Sequence, residues 1–214
     1  YKRKSFPLPV KNYQQLNQIL GEGFESVSNS GVRAFTVESL AKRLSMSKKT
    51  IYKHFPTKEN LIHSIILYIF EQINGVFETV MKDEPNPAVQ FVKIMENISK
   101  FAGRTPVNHL AELKSQYPQI WKEVEAFRLG HQDDFYTILK NAQEQSFARE
   151  EINMRTMSIV YINIINSTFQ PEFFLQNDLP IRDTIHGFVQ IVARGIFNEK
   201  GLKAINIYNE KHAT

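Results

Sequence analysis

Apolar residues recur at three- and four-residue intervals almost throughout this chain, and no apolar–polar alternation long enough for a strand interrupts them. That spacing gives a helix one apolar face, so the chain is expected to be all-α. Leu16, Ile19, Leu20, Phe24 and Val27 form the first such stripe, and Asn29-Ser30-Gly31 supplies the stop, because glycine tolerates the left-handed conformation that closes a helix. Thr36 is placed to cap a short second helix carrying Val37, Leu40, Ala41 and Leu44 inward. Ser47 caps a third, running to about Phe55, and Thr57 opens a long fourth that reaches about Met81. Asp83-Glu84-Pro85-Asn86-Pro87 is the clearest linker. Beyond it helices are expected at about 88–102, 105–115, 118–147, 152–169 and 180–198, with Gln170–Leu179 a loop.

The charge is unevenly spread. Residues 1–58 hold eleven Lys or Arg against three Asp or Glu, a balance of +8, while residues 59–214 hold fifteen against nineteen, or −4. A basic head on a mildly acidic body is what a chain meeting a polyanion at one end needs, though a solvated basic surface gives the same count. No apolar run approaches the roughly 18 residues of a membrane span, and the first residues lack the apolar stretch of a secretory signal. There are no cysteines, which removes disulfides, thiolate metal sites and a thiol nucleophile. A cytoplasmic location is expected. The chain opens on Tyr1 rather than methionine, and a short stretch is expected to precede it.

Two short helices joined by about three residues, the second rich in basic and hydroxyl groups, make the plan of a helix-turn-helix. Ala41 is small enough to let the second helix cross closely, Met46 and Ile51 plug the junction, and Tyr52 and Phe55 bracket its end. Lys48, Lys49, Thr50 and Lys53 are left on the open side, where lysine can reach guanine or phosphate and threonine a base edge or thymine methyl. Ser47, Tyr52, His54 and Lys58 flank the helix ends, where such groups hold phosphates.

The run from Phe35 to Leu61 closely resembles the DNA-binding domain of the TetR family of regulators. Its hallmark stands here as Tyr52-Lys53-His54-Phe55 followed by Lys58-Glu59-Asn60-Leu61. The resemblance implies phosphate contacts for Thr36, Ser47, Tyr52, His54 and Lys58, and base-facing roles for Lys48, Lys49, Thr50 and Lys53. Two positions depart from the family pattern. The turn Leu44-Ser45-Met46 lacks the glycine of many members, so another residue must take its conformation at some cost. Lys49 stands where many members have a small residue, which alters the expected base preference. The implied division is a DNA-binding head, 1–57, and an effector-binding and dimerisation body, 58–214.

In that family the last two large helices of each subunit build a dimer interface, and two segments here suit it. One offers Met157, Val160, Tyr161 and Ile164; the other offers Ile181, Ile185, Phe188, Val189, Val192 and Ile196, close to a heptad seam. The same stripes would also serve to close the core of a single chain. Two heads related by a two-fold axis would read a palindrome of double-stranded DNA. The resemblance also implies a cavity for a small apolar or amphipathic effector, for which Phe91, Phe101, His109, Tyr117, Trp121, Phe127, His131 and Phe135 are the candidates. Aromatic stripes at helical spacing equally describe a packed core.

An enzyme is the first rival class. The six histidines, His54, His63, His109, His131, His186 and His212, include no pair at i, i+4, and no phosphate-cradling loop or nucleophile elbow is present. No metal and no cofactor are expected. A second rival is a helical adaptor that uses the helix-turn-helix shape to recruit a protein partner. It would have lost the basic and hydroxyl groups of the second helix, and they are present. The sequence thus points to a repressor that binds its operator as a homodimer and is released by a small molecule.

Overall fold

In the computed structural model, which describes residues 13–212, twelve helices follow one another. They are α1 (Tyr13–Ala34), α2 (Val37–Arg43), α3 (Lys48–His54), α4 (Lys58–Asp83), α5 (Pro87–Ala102) and α6 (Val107–Gln116), then α7 (Pro118–Gly130), α8 (Gln132–Glu144), α9 (Met154–Thr168), α10 (Pro171–Asn177), α11 (Ile181–Ile196) and α12 (Glu199–His212). No strand forms among the described residues beyond an isolated bridge between Ala148 and Phe197. The all-α expectation holds.

The chain packs as two units. One runs up to Gln72 and takes in Thr105–Val124; the other comprises Ile73–Arg104 and the chain from Glu125 onward. In the first, Leu16, Ile19 and Phe24 of α1 pack with Leu40 of α2, Ile51 of α3 and Leu61 of α4. α6 lies along α1, and Gly31 explains how. It breaks α1 with φ at +75°, and a Cβ there would sit 2.5 Å from Oε2 of Glu112 and 2.9 Å from Cδ2 of His109. Only glycine meets both demands. Around it the Arg33 N–H donates to Glu112 Oε2 (3.3 Å), Nδ1 of His109 lies 2.8 Å from the Ser28 carbonyl, and Ser28 and Thr105 share a hydroxyl contact at 2.9 Å.

The second unit is centred on packed rings. Phe77 stacks on His131 at 4.1 Å and meets Phe135 edge-on. Phe91 touches Phe135, Tyr161 and Phe197, and Tyr161 stacks on Phe188 at 5.6 Å. α5 packs against α8, α11 and α12.

Three expectations about the elements need correction. The helix read as continuous over 118–147 is two, α7 and α8, parted at His131. Glycine at 130 weakens the helix there, and Asp133 and Asp134 suit the first turn of a new one, where the helix dipole favours acids. The expected loop 170–179 contains α10, because Pro171 stands at its start, where its fixed φ is helical, and Asp178 closes it with φ at +50°. Finally, α11 is followed by α12. The Asn198 side chain caps it by accepting from the Gly201 N–H at 3.1 Å, and donates to the carbonyls of Ser146 (3.1 Å) and Ala148 (3.3 Å).

Candidate DNA-binding interface

The head is built from its caps. The Ser39 N–H donates to Thr36 Oγ1 at 3.1 Å, starting α2, and the Thr50 N–H donates to Ser47 Oγ at 3.0 Å, starting α3. Each satisfies a backbone donor the helix leaves open. Between them Ser45 takes φ of +53°, while the Met46 N–H reaches back to the Ala41 carbonyl at 2.9 Å. The missing glycine is therefore replaced by a serine in a left-handed conformation. Ile51, wholly buried, and Phe55 anchor α3 to the core.

With that face fixed inward, Lys49, Tyr52 and Lys53 project into solvent, Tyr52 at 44% exposure. Their i, i+3 and i, i+4 spacing puts them on one side of α3. Thr36, Ser47 and Lys48 are also exposed; Thr50, His54 and Lys58 are half-buried. Several of these groups already have partners. The Ser47 and Thr50 hydroxyls lie 2.8 Å apart, and Lys48 Nζ is 3.4 Å from Glu38 Oε2. Lys58 Nζ approaches the Arg33 carbonyl at 3.5 Å and the Phe35 ring at 5.9 Å, and loss of solvent lowers its pKa from the ordinary lysine value. The Glu38 contact was not legible from spacing, because it crosses the turn between two helices. Arg43 pairs with Glu22 of α1.

The eight aromatic and histidine positions marked for an effector do not come together. His109, Tyr117 and Trp121 belong to the first unit, where Trp121 is buried in the core and His109 bonds Ser28. Phe91, Phe127, His131 and Phe135 lie in the ring cluster of the second. Phe101, half-buried, lies under the Arg104 guanidinium at 5.6 Å. A cavity of about 550 Å³ in the second unit is lined by none of the eight. Helical spacing marked these side chains as inward without saying into which unit.

The seam marked for a second subunit is corrected likewise. Ile181, Ile185, Val189, Val192 and Ile196 are buried within the single chain, as is Tyr161, and α11 packs on α5. A heptad row identifies a buried face, not its partner. Met157 and Phe188 are half-buried, and only Val160 and Ile164 of that set are exposed. Ile159 and Ile191, the latter 72% exposed, are outward apolar residues the sequence pattern did not mark.

A capped helix-turn-helix with an exposed basic second helix, in an otherwise all-helical chain, defines a DNA-binding transcriptional regulator. Residues 19–65 match the family model described as bacterial regulatory proteins, tetR family. Over that stretch the chain is similar to the TetR family. A relative from Bacillus subtilis (strain 168), the HTH-type transcriptional regulator YvaF, is 25% identical over 181 residues, 84% of this chain and 94% of its own. The fold is shared with a TetR transcription regulator from Haloarcula marismortui ATCC 43049, at a TM-score of 0.68 and 12% identity over 86% of this chain and 99% of that one. It is shared also with FadR from Bacillus subtilis in complex with stearoyl-CoA, at a TM-score of 0.57 and 17% identity over 84% and 98%. No helix among the described residues is long and apolar enough to cross a membrane.

Proposed function

We propose that the chain binds a palindromic operator as a homodimer, represses transcription from it in the cytoplasm, and is released by a small molecule. The observation that carries the reading is the pair Lys49 and Lys53. They stand one turn apart on the open face of α3, beside Tyr52, with no carboxylate partner among the described residues. Two like charges at that spacing destabilise a helix by a few tenths of a kcal/mol, and a phosphate backbone removes the penalty. Lys48, Lys49, Thr50 and Lys53 face the bases in this reading, and Thr36, Ser47, Tyr52, His54 and Lys58 hold phosphates. The basic and hydroxyl groups that an adaptor would have lost are all present.

Residues 1–57 supply the DNA-reading function and 58–214 the rest, although the packing units are drawn differently, with α6 and the start of α7 joining the head. Dimerisation falls to the outward face of α9 and α11. Val160 and Ile164 with Ile159 and Ile191 supply apolar surface there, and nothing among the described residues lies within 4 Å of a Cβ built on Gly187 or Gly195. For the effector, the ring cluster supplies two polar atoms that are buried without a hydrogen-bond partner among the described residues, His131 Nε2 and Tyr161 Oη. Such groups call for an explanation, and a ligand that reaches them between Phe91, Phe127 and Phe135 is one.

The test is selection of tight-binding duplexes from a random DNA pool, with wild type and a Lys49→Ala/Lys53→Ala variant at several salt concentrations. The expected result is a two-fold symmetric site for wild type and, for the variant, weaker binding with relaxed preference at the positions the two lysines face. If protein refolded free of small molecules enriches no sequence at low salt, the operator-binding reading is wrong.

A further inference from the structure

Apart from the α3 face and the ring cluster, the second unit carries the cleft of about 550 Å³ between α5, α11 and α12. Its size is within the range of small-molecule sites. The floor is apolar: Val92, Met95, Ile185, Val189 and Ile205 are all buried and all line it. The mouth is charged, with Lys100, Arg182 and Arg194 exposed at its edge.

Lys100 and Arg182 stand at one end of it. Ser99, next to Lys100, donates its hydroxyl to the Arg182 carbonyl at 3.4 Å, and Arg182 Cβ is 3.4 Å from a Cβ built on Gly103. The two carboxylates at the cleft are accounted for. Glu96 accepts from Tyr208 Oη at 3.1 Å, and burial together with that carboxylate pushes the Tyr208 phenol up to about 12. Asp183 sits in the first turn of α11, where the helix dipole favours an acid. The three cations are not accounted for. None has a carboxylate partner among the described residues, and Arg182 occupies the second position of α11, where the same dipole disfavours a cation.

An apolar trough with spare cations at its mouth is complementary to an anion with an apolar tail. We propose that the α5–α11–α12 cleft binds an alkyl carboxylate, its tail along Val92, Val189 and Ile205 and its head group held by Lys100 and Arg182. The guanidinium presents paired donors to the two carboxylate oxygens. None of these residues is among those proposed to read DNA or to line the ring cluster, so the site stands independently of the operator-binding reading.

Calorimetric titration of sodium decanoate into the full chain tests it without DNA. Wild type is expected to bind one decanoate per chain saturably. The K100E/R182E variant, altered only at exposed side chains, is expected to keep its circular dichroism and melting temperature while losing at least about tenfold in affinity. The neutral analogue 1-decanol is expected to bind wild type at least about tenfold more weakly than decanoate does. The proposal is overturned by the absence of saturable binding below about 1 mM, by affinity that K100E/R182E leaves unchanged, or by decanol binding as tightly as decanoate.

Discussion

The ammonium nitrogen of Lys48 lies 3.4 Å from Oε2 of Glu38, across the turn that joins α2 to α3. Both side chains are largely exposed, so the contact adds little to stability, but it engages a cation on the side of α3 proposed to meet DNA. Replacing Glu38 by Gln frees that charge and removes an anion from the approach of a phosphate. Affinity for the selected operator is expected to rise about three- to tenfold. Fluorescence anisotropy measures it, and an unchanged affinity would show that Lys48 does not meet the DNA.

Gly31→Ala tests the junction of α1 with α6. Alanine at a φ of +75° is strained, and the new methyl would meet the Glu112 carboxylate. The variant is expected to lose about 2–3 kcal/mol of stability, read from urea unfolding. Adding Glu112→Ala removes the carboxylate clash but leaves His109 Cδ2 at 2.9 Å from the new methyl, and should recover only part of the loss, because the backbone strain also remains and the Arg33 N–H loses its acceptor. Full recovery would rule out both strain at Gly31 and the His109 contact as causes.

Much of the head was legible because its determinants are local. Thr36, Ser47 and Thr57 each sit three residues before the amide they satisfy, and Ser45 was forced into the turn by the helices on either side. The body was harder to read for reasons that are equally physical. Pro171 reads as a breaker in isolation, yet it is at the start of α10, the one place a helix welcomes it. Val189 and Ile191 are both apolar and two residues apart, but one is buried and the other 72% exposed. The heptad row separates the two, but that Val189 is covered by the same chain, with α11 packed on α5, is set by tertiary packing that a one-dimensional pattern does not contain. His109 and His131 likewise looked equivalent in sequence and fall in different units.

Those two α11 residues give a paired prediction. Ile191→Asp should leave the monomer's stability within about 0.5 kcal/mol, as exposed substitutions do, while shifting the protein from dimer to monomer in sedimentation and weakening operator binding. Val189→Asp buries a carboxylate with no partner and should cost about 3 kcal/mol or more. If Ile191→Asp stays dimeric, the outward face of α11 is not the interface.

Tyr161 is fully buried, and its hydroxyl has no hydrogen-bond partner among the described residues. Its pKa is raised far above the ordinary phenol value by desolvation, which makes the hydroxyl a neutral group held dry. Tyr161→Phe removes an unsatisfied donor while keeping the ring stack with Phe188. In ligand-free protein it is expected to raise stability by about 1 kcal/mol, measured by thermal melting. A loss of stability would reveal a water or side chain that serves the hydroxyl.

The approach of α12 to the chain at Phe147 has a consequence for reading mutational scans. A Cβ on Gly201 would lie 2.2 Å from the Phe147 carbonyl oxygen, so main chain rests on main chain there, with no room for even a methyl group. A saturation scan of this regulator would find position 201 as intolerant as a catalytic residue, although it stands far along the chain from α3 and carries no chemistry. Intolerance at that position would record the fit of α12 and would persist in a readout of folding alone, where the exposed positions of α3 would be permissive.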